Sequence, residues 1–206
     1  MIETLFKSLE NIASNKRFVE KELEGWDKKK ENTLELLKNL EEARIIFQNA
    51  SQITQNQLSE RISSIVSSAL AAVFPDPYTF VVDFVQRRNS TECDLLFSRN
   101  GKTRHPLSSC GFGAADIASL ALRVAYWKLD GEARNVICLD EPTRALSIEK
   151  QPLASMMIKE LSKMEGGLQF IIVTHHKALS EAADKHFQVN QEDGRSFLIE
   201  KVKGDF

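Results

Sequence analysis

The 206-residue chain is short of the residues that interrupt or cross-link a fold. It has five prolines, none before Pro75, and nine glycines, of which only Gly25 lies in the first 74 residues. That excludes a fibrous or low-complexity chain and leaves the first third almost free of helix breakers. The three cysteines, Cys93, Cys110 and Cys138, are odd in number and lack metal-site spacing. They fit a reducing cytoplasm better than a disulfide-stapled secreted domain. His175 and His176 have no Cys or His partners at a metal-site spacing, so zinc is not indicated. Neither charge dominates: 27 basic side chains face 29 acidic ones, for a net charge of -2. A strongly basic nucleic-acid binder is excluded at the level of overall charge, but a local basic face is not. No run approaches the roughly 18 apolar residues of a membrane span, so no membrane partner is expected. The opening MIETLFKSLENIASNK mixes acids with its apolar residues, unlike a secretory leader. What remains is an ordinary balance, 42% hydrophobic and 27% charged, at a length for one large domain or a modest domain with an extension.

The first third is patterned as a coiled coil. A heptad register from Ile2 puts Ile2, Leu9, Leu23, Leu37 and Leu58 at a, and Leu5, Ile12, Val19, Trp26, Leu40 and Phe47 at d. Lys16, Lys30, Thr33, Arg44, Ser51, Thr54 and Arg61 interrupt it. A 3.5-residue repeat held this long points to a helix that needs another helix against it, from a second copy or another protein. The alternative is two helices folding back near Gly25. From Leu58 the stripe broadens through Ile62, Ile65, Val66, Ala69 and Val73, the pattern of a helix docking on a core, and Pro75 and Pro77 stop it. The expected division is residues 1–57, coiled-coil helix, and 58–206, an α/β domain.

In the second part, 78–88 and 92–99 read as strands joined onward by an Asn100-Gly101 hairpin turn. Residues 114–129 read as a helix with Ile117, Leu120, Ala121, Val124 and Trp127 on one side. Next come a buried strand at 135–139, a helix over 147–164 with Ser147 as its cap and Gly166-Gly167 as its end, and a second buried strand at 168–174. Short strands at 186–190 and 196–202 close the chain. Strand-helix-strand spacing favours parallel pairing in the middle of the domain.

Chemistry-bearing residues collect at the ends of the two apolar strands. VICLDEP delivers Asp140 and Glu141 at a carboxyl edge, where ligands bind in open α/β sheets. Asp140 is suited to hold a hydrated Mg²⁺ and Glu141 to orient and deprotonate a water. FIIVTHH ends in His175 at the same expected edge. A Gly-x-Gly turn, Gly111-Phe112-Gly113, opens the helix at Ala114, and exposed N–H groups there would suit an anion. Each segment alone also reads as a plain turn or a structural histidine.

Together the three segments resemble the C-terminal lobe of an SMC-like ABC-type ATPase head, including the coiled-coil ATPase subunit of double-strand-break repair nuclease complexes. ASLALRVA at 118–125 is very similar to the helix after that branch's signature motif, and a coiled coil enters the lobe as residues 1–74 do. The resemblance implies an α/β lobe preceded by a long coiled-coil helix. It implies that Asp140 is the Walker B Mg²⁺ residue, Glu141 the catalytic base and His175 the switch histidine near the γ-phosphate. Gly111-Phe112-Gly113-Ala114 falls on the family's Ser-Gly-Gly-Glu/Gln, so Gly111 stands where the serine would touch phosphate, with Ser108 and Ser109 just upstream. His176 sits where the family often has Asp or another polar residue. Residues 143–147 occupy the D-loop, with Ser147 in place of the usual Asp. No Gly-x-x-x-x-Gly-Lys-Ser/Thr occurs; Asn100-Gly101-Lys102-Thr103 has its ending, but position 96 is Leu96.

The resemblance therefore implies half of an engine. Mg²⁺ and ATP would bind only together with a P-loop-containing lobe or a full SMC-like ATPase, and the assembly would be oligomeric. A nuclease subunit and DNA are the implied further partners, in DNA repair or recombination. A non-catalytic regulator of such an ATPase is the alternative, and a small metal-dependent hydrolase a third. Arg87, Arg88, Arg99, Lys102 and Arg104 would share one hairpin, able to meet phosphates or simply solvated.

Overall fold

The computed structural model describes residues 2–88, 90–164 and 166–201, with Ser109 described by its backbone only. The chain divides into two compact units, one up to Thr54 and one from Gln55. Helix α1, Ile2–Val73, passes through Gly25 without a break, and no hairpin forms there. Up to Thr54 its apolar seam is bare: Leu9, Ile12, Leu23, Trp26, Leu37 and Leu40 are all exposed.

The second unit is built on the end of α1. Val66, Ala69, Leu70 and Val73 are buried there, and Ile62 packs beside them. Two serines on the same helix face anchor the first strand, β1 (Thr79–Arg87). Ser67 Oγ accepts the Phe80 N–H at 2.8 Å, and Ser59 Oγ donates to the Val82 carbonyl at 2.6 Å. β1 is an edge strand, so these hydroxyls occupy backbone groups that would otherwise be open to stray pairing.

β1 pairs antiparallel with β2 (Ser90–Arg99), and β2 with the short β3 (Lys102–Arg104). The β2–β3 loop is Asn100-Gly101, with φ of 52° and 72°, the two-residue turn whose handedness matches strand twist. The near-match to a phosphate loop is thus a hairpin. Tyr78 stacks on Phe97, and Phe97 meets Phe80 edge-on at the centre of the core. Two of the five basic residues expected on this hairpin are committed to acids. Arg87 forks onto Asp94 and Glu92, while Arg99 lies over Tyr78 and pairs with Asp76.

A one-turn helix not expected from sequence, α2 (Pro106–Ser109), precedes α3 (Phe112–Leu129). The expected face of α3 is buried: Ile117, Leu120, Ala121, Val124 and Trp127. β4 (Val136–Asp140) pairs in parallel with β5 (Gln169–Val173), with Asp140 opposite Val173. Between them, the expected helix over 147–164 is shorter. It begins as a 3₁₀ turn, Ile148–Lys150, and becomes α4 at Gln151–Ser162. Ser147 makes no capping bond; Pro152, in the first turn of α4, has no N–H to cap, and the buried Gln151 holds the preceding loop instead. α5 (Lys177–Ala182) and the hairpin of β6 (His186–Glu192) and β7 (Arg195–Lys201) follow. Val202, expected to end the last strand, lies outside the described residues.

One expectation fails in an informative way: β4 and β5 are not buried strands. Ile137, Leu139, Phe170 and Ile172 face the core, but the alternate residues do not. Val136 is 43% exposed, Ile171 50% and Val173 64%. A parallel sheet is ordinarily covered on both faces, and this one is covered on one. A groove of about 850 Å³ adjoins it, lined by Leu95, Leu107, Leu122, Tyr126, Val136 and Cys138 among others.

Candidate functional site at the β4 and β5 strand ends

Parallel pairing brings the ends of β4 and β5 together. The Glu141 N–H donates to the Val173 carbonyl at 2.9 Å, extending the ladder by one bond. Glu141 itself has φ of 44°, a left-handed conformation that costs a non-glycine residue about 1–3 kcal/mol and is characteristic of functional positions. This turn lays the carboxylate across the first residues after β5. Glu141 Oε1 lies 2.8 Å from His175 Nδ1 and accepts the His175 N–H at 3.1 Å. Oε2 accepts the Thr174 hydroxyl at 3.3 Å, and that hydroxyl accepts the His176 N–H at 3.1 Å. Partial burial pushes the Glu141 carboxyl up, and the bonds from His175 and Thr174 outweigh it, so the group sits below its ordinary value. It is an ionised, oriented hydrogen-bond acceptor.

Asp140, the last residue of β4, is exposed. Its carboxylate makes no hydrogen bond or ion pair among the described residues, which suits direct or water-mediated contact with a hard cation. Glu141 and His175, expected to lie at one edge, are thus in direct contact, with Asp140 adjoining. Sequence reasoning missed Thr174 and His176 as members of the cluster. The only available signal was the Thr-His-His run after an apolar strand. His176 packs its ring 4.2 Å from that of His175, and its Nε2 lies 4.0 Å from Glu141 Oε2.

The glycine segment belongs to a different cluster. Gly111 is the residue before α3, with φ of 77° and open space around it. Gly113 permits a close approach: a Cβ there would fall 3.0 Å from the Ala145 carbonyl oxygen and 3.2 Å from Leu146 Cδ1. Asp116 Oδ2 accepts the Ala145 N–H at 2.9 Å, tying α3 to the 143–147 loop. Buried Gln151 bonds Thr143 Oγ1 at 2.7 Å and the Thr143 carbonyl at 2.8 Å, holding the same loop from below. Gly111 and Gly113 therefore sit beside the loop containing Ser147, and no hydrogen bond joins them to Glu141 or His175. Ser108 Oγ is spent on the His105 carbonyl at 3.1 Å, and the Ser109 side chain lies outside the described residues. Ser147 is exposed and makes no side-chain cap.

No protein-family model matches the chain. It is 27% identical over 160 residues, 76% of its length, to the DNA double-strand break repair Rad50 ATPase of Saccharolobus solfataricus. It is 33% identical over 93 residues, 45% of its length, to the Rad50 ATPase of Methanopyrus kandleri. The chain spans only 17% and 10% of the lengths of these relatives. Among solved structures, an Smc head bound to the C-winged helix domain of ScpA matches 76% of this chain and 46% of its own, at a TM-score of 0.59 and 20% identity. An Smc head with an extended coiled coil from Pyrococcus furiosus, bound to the C-terminal domain of ScpA, matches 69% of this chain and 35% of its own, at 0.57 and 22%. In sequence and in fold, the chain is similar to the C-terminal region of an SMC-like ATPase head, with the long helix of a coiled coil leading into it.

Proposed function

We propose that this chain is the C-terminal half of an SMC-like ATPase head that works only when a P-loop lobe, on a separate chain or on an upstream part of the same protein, completes it. The observation that carries the reading is the uncovered outer face of the β4–β5 sheet. Val136, Cys138, Ile171 and Val173 are apolar or weakly polar, exposed, and continuous with an apolar groove. Such a face is the complement of a covering layer from the rest of an α/β domain.

The site fits a Mg²⁺-nucleotide in part. Asp140 is the residue that would hold the ion, and Mg²⁺ when bound would neutralise charge on the phosphates. Glu141 is ionised and held from behind by Thr174 and the His175 N–H, the arrangement of a group that orients a water and takes its proton. His175 is bound to Glu141 through Nδ1 and is 72% exposed, leaving its other ring nitrogen for a phosphate oxygen or water. The cradle for the triphosphate does not fit: the sequence has no P-loop lysine, and carboxylates alone repel ATP. Completed heads would close on ATP in pairs and pass that closure to DNA or a nuclease in repair or recombination, in the cytoplasm. The α1 seam would take a partner helix. One feature favours a regulatory alternative, in which the lobe pairs with a complete head without catalysis: Ser108 is occupied locally and Gly111 replaces the phosphate-touching serine.

The test is reconstitution. The chain alone should show negligible ATP hydrolysis, and mixing it with a P-loop lobe should produce activity that Glu141→Gln removes. Tight pairing with an intact head but no activity in any mixture would support the regulator. Vigorous hydrolysis by the chain alone would overturn both and favour a free-standing metal-dependent hydrolase.

A further inference from the structure

The strand-end cluster has a property that neither the carboxylate nor the histidines show alone. Glu141, His175 and His176 each offer one ligand atom, and the three atoms lie within 4.8 Å of one another. Two imidazoles and one carboxylate are the donor set of zinc and neighbouring d-block cations, whereas Mg²⁺ selects oxygen. Ligand atoms at about 2.0–2.2 Å from a tetrahedral ion stand roughly 3.4 Å apart. Each histidine lies near that spacing from one carboxylate oxygen, His175 Nδ1 at 2.8 Å from Oε1 and His176 Nε2 at 4.0 Å from Oε2, and a shared cation would draw both rings round one of these oxygens. His176 Nε2 is also buried with no hydrogen-bond partner. A buried polar atom without a partner is an unfavourable state that a bound cation would relieve. His175 stands at the solvent side of the cluster, so an ion has a way in.

We propose that Glu141, His175 and His176 form a binding site for a divalent d-block cation of the zinc class, separate from the hard-cation position at Asp140. The ion takes one lone pair from each histidine and one from the carboxylate, and water completes its coordination. It displaces the His175–Glu141 hydrogen bond and occupies the carboxylate that would otherwise accept a proton. Sequence spacing pointed away from zinc because the histidines are adjacent and the third ligand comes from a different strand, 34 residues away. The site needs neither nucleotide nor a P-loop lobe, so its failure would leave the proposed ATPase role standing, and the reverse.

The experiment is titration of the full chain, under reducing conditions, with Co²⁺ followed by absorption and with Zn²⁺ followed by indicator competition. The expected result is one tight ion per chain that excess Mg²⁺ does not displace, with no thiolate-to-metal charge-transfer band. His175→Ala and His176→Ala should each weaken binding at least about tenfold, since even outer-shell losses commonly cost 10- to 100-fold. His176→Gln, which keeps volume, should do the same with far-UV circular dichroism unchanged, and the Cys93→Ser, Cys138→Ser double variant should bind as wild type. Equal affinity in His176→Gln, ready displacement by Mg²⁺, or binding lost only with the cysteines would each overturn the proposal.

Discussion

The two faces of the β4–β5 sheet are made from alternate residues of the same two strands, yet they differ in kind. The inner face, Ile137, Leu139, Phe170 and Ile172, is packed against the core, and Leu139 is buried. The outer face carries Val136, Cys138, Ile171 and Val173 and leaves them to solvent. At the strand ends, by contrast, the lobe already orients its carboxylate: Glu141 has its hydrogen bonds from Thr174 and His175. The chemistry of this site is organised by short-range bonds that the lobe makes alone, whereas the hydrophobic closure of its sheet waits for something else.

Four predictions press on that contrast, beginning with the largest expected effect. In a reconstituted head, Glu141→Gln should lower ATP turnover about 100- to 10,000-fold, the usual worth of a positioned general base, while leaving assembly of the two lobes unchanged by gel filtration. Phe97→Ala, in the buried core against which the inner face packs, should cost about 3–5 kcal/mol in urea unfolding. Ile171→Ser, on the open side, should change the stability of the lone chain by no more than about 0.5 kcal/mol, yet weaken its association with a P-loop lobe. Equal destabilisation by both would mean that the outer face is covered in the chain alone. Gln151→Ala should cost about 1–3 kcal/mol, because it strands the buried Thr143 hydroxyl.

The smallest effect concerns pH. The folded-state value of Glu141 is depressed, so its contribution to stability is present above its ordinary range and is lost as pH falls through the folded value. The stability difference between wild type and Glu141→Gln should therefore shrink on acidification through and below the carboxylate range. A difference that grows with acid would contradict the assigned hydrogen bonds.

Much of this was legible in the residues. The face of α3 follows from its 3.6-residue spacing, and Asn100-Gly101 specifies its own turn. VICLDEP and FIIVTHH showed where strands end and which groups they carry. The helix after Ser147 was misjudged because its start is shaped by Gln151 reaching back to Thr143 and Leu146, a tertiary contact with no periodic signature. Ser59 and Ser67 read as ordinary polar positions in a helix, and only the edge of β1 beside them makes them anchors.

The sequence by itself determined most of the elements, the acids and histidines at the strand ends, and the lack of a phosphate loop, because backbone propensity, turn geometry and side-chain period act over a few residues. Only the tertiary structure decided that Glu141 meets His175 and His176, 34 and 35 positions further on, and that one face of an apolar sheet is left open. Those outcomes depend on which strands become neighbours and on what covers them, and no local pattern encodes either.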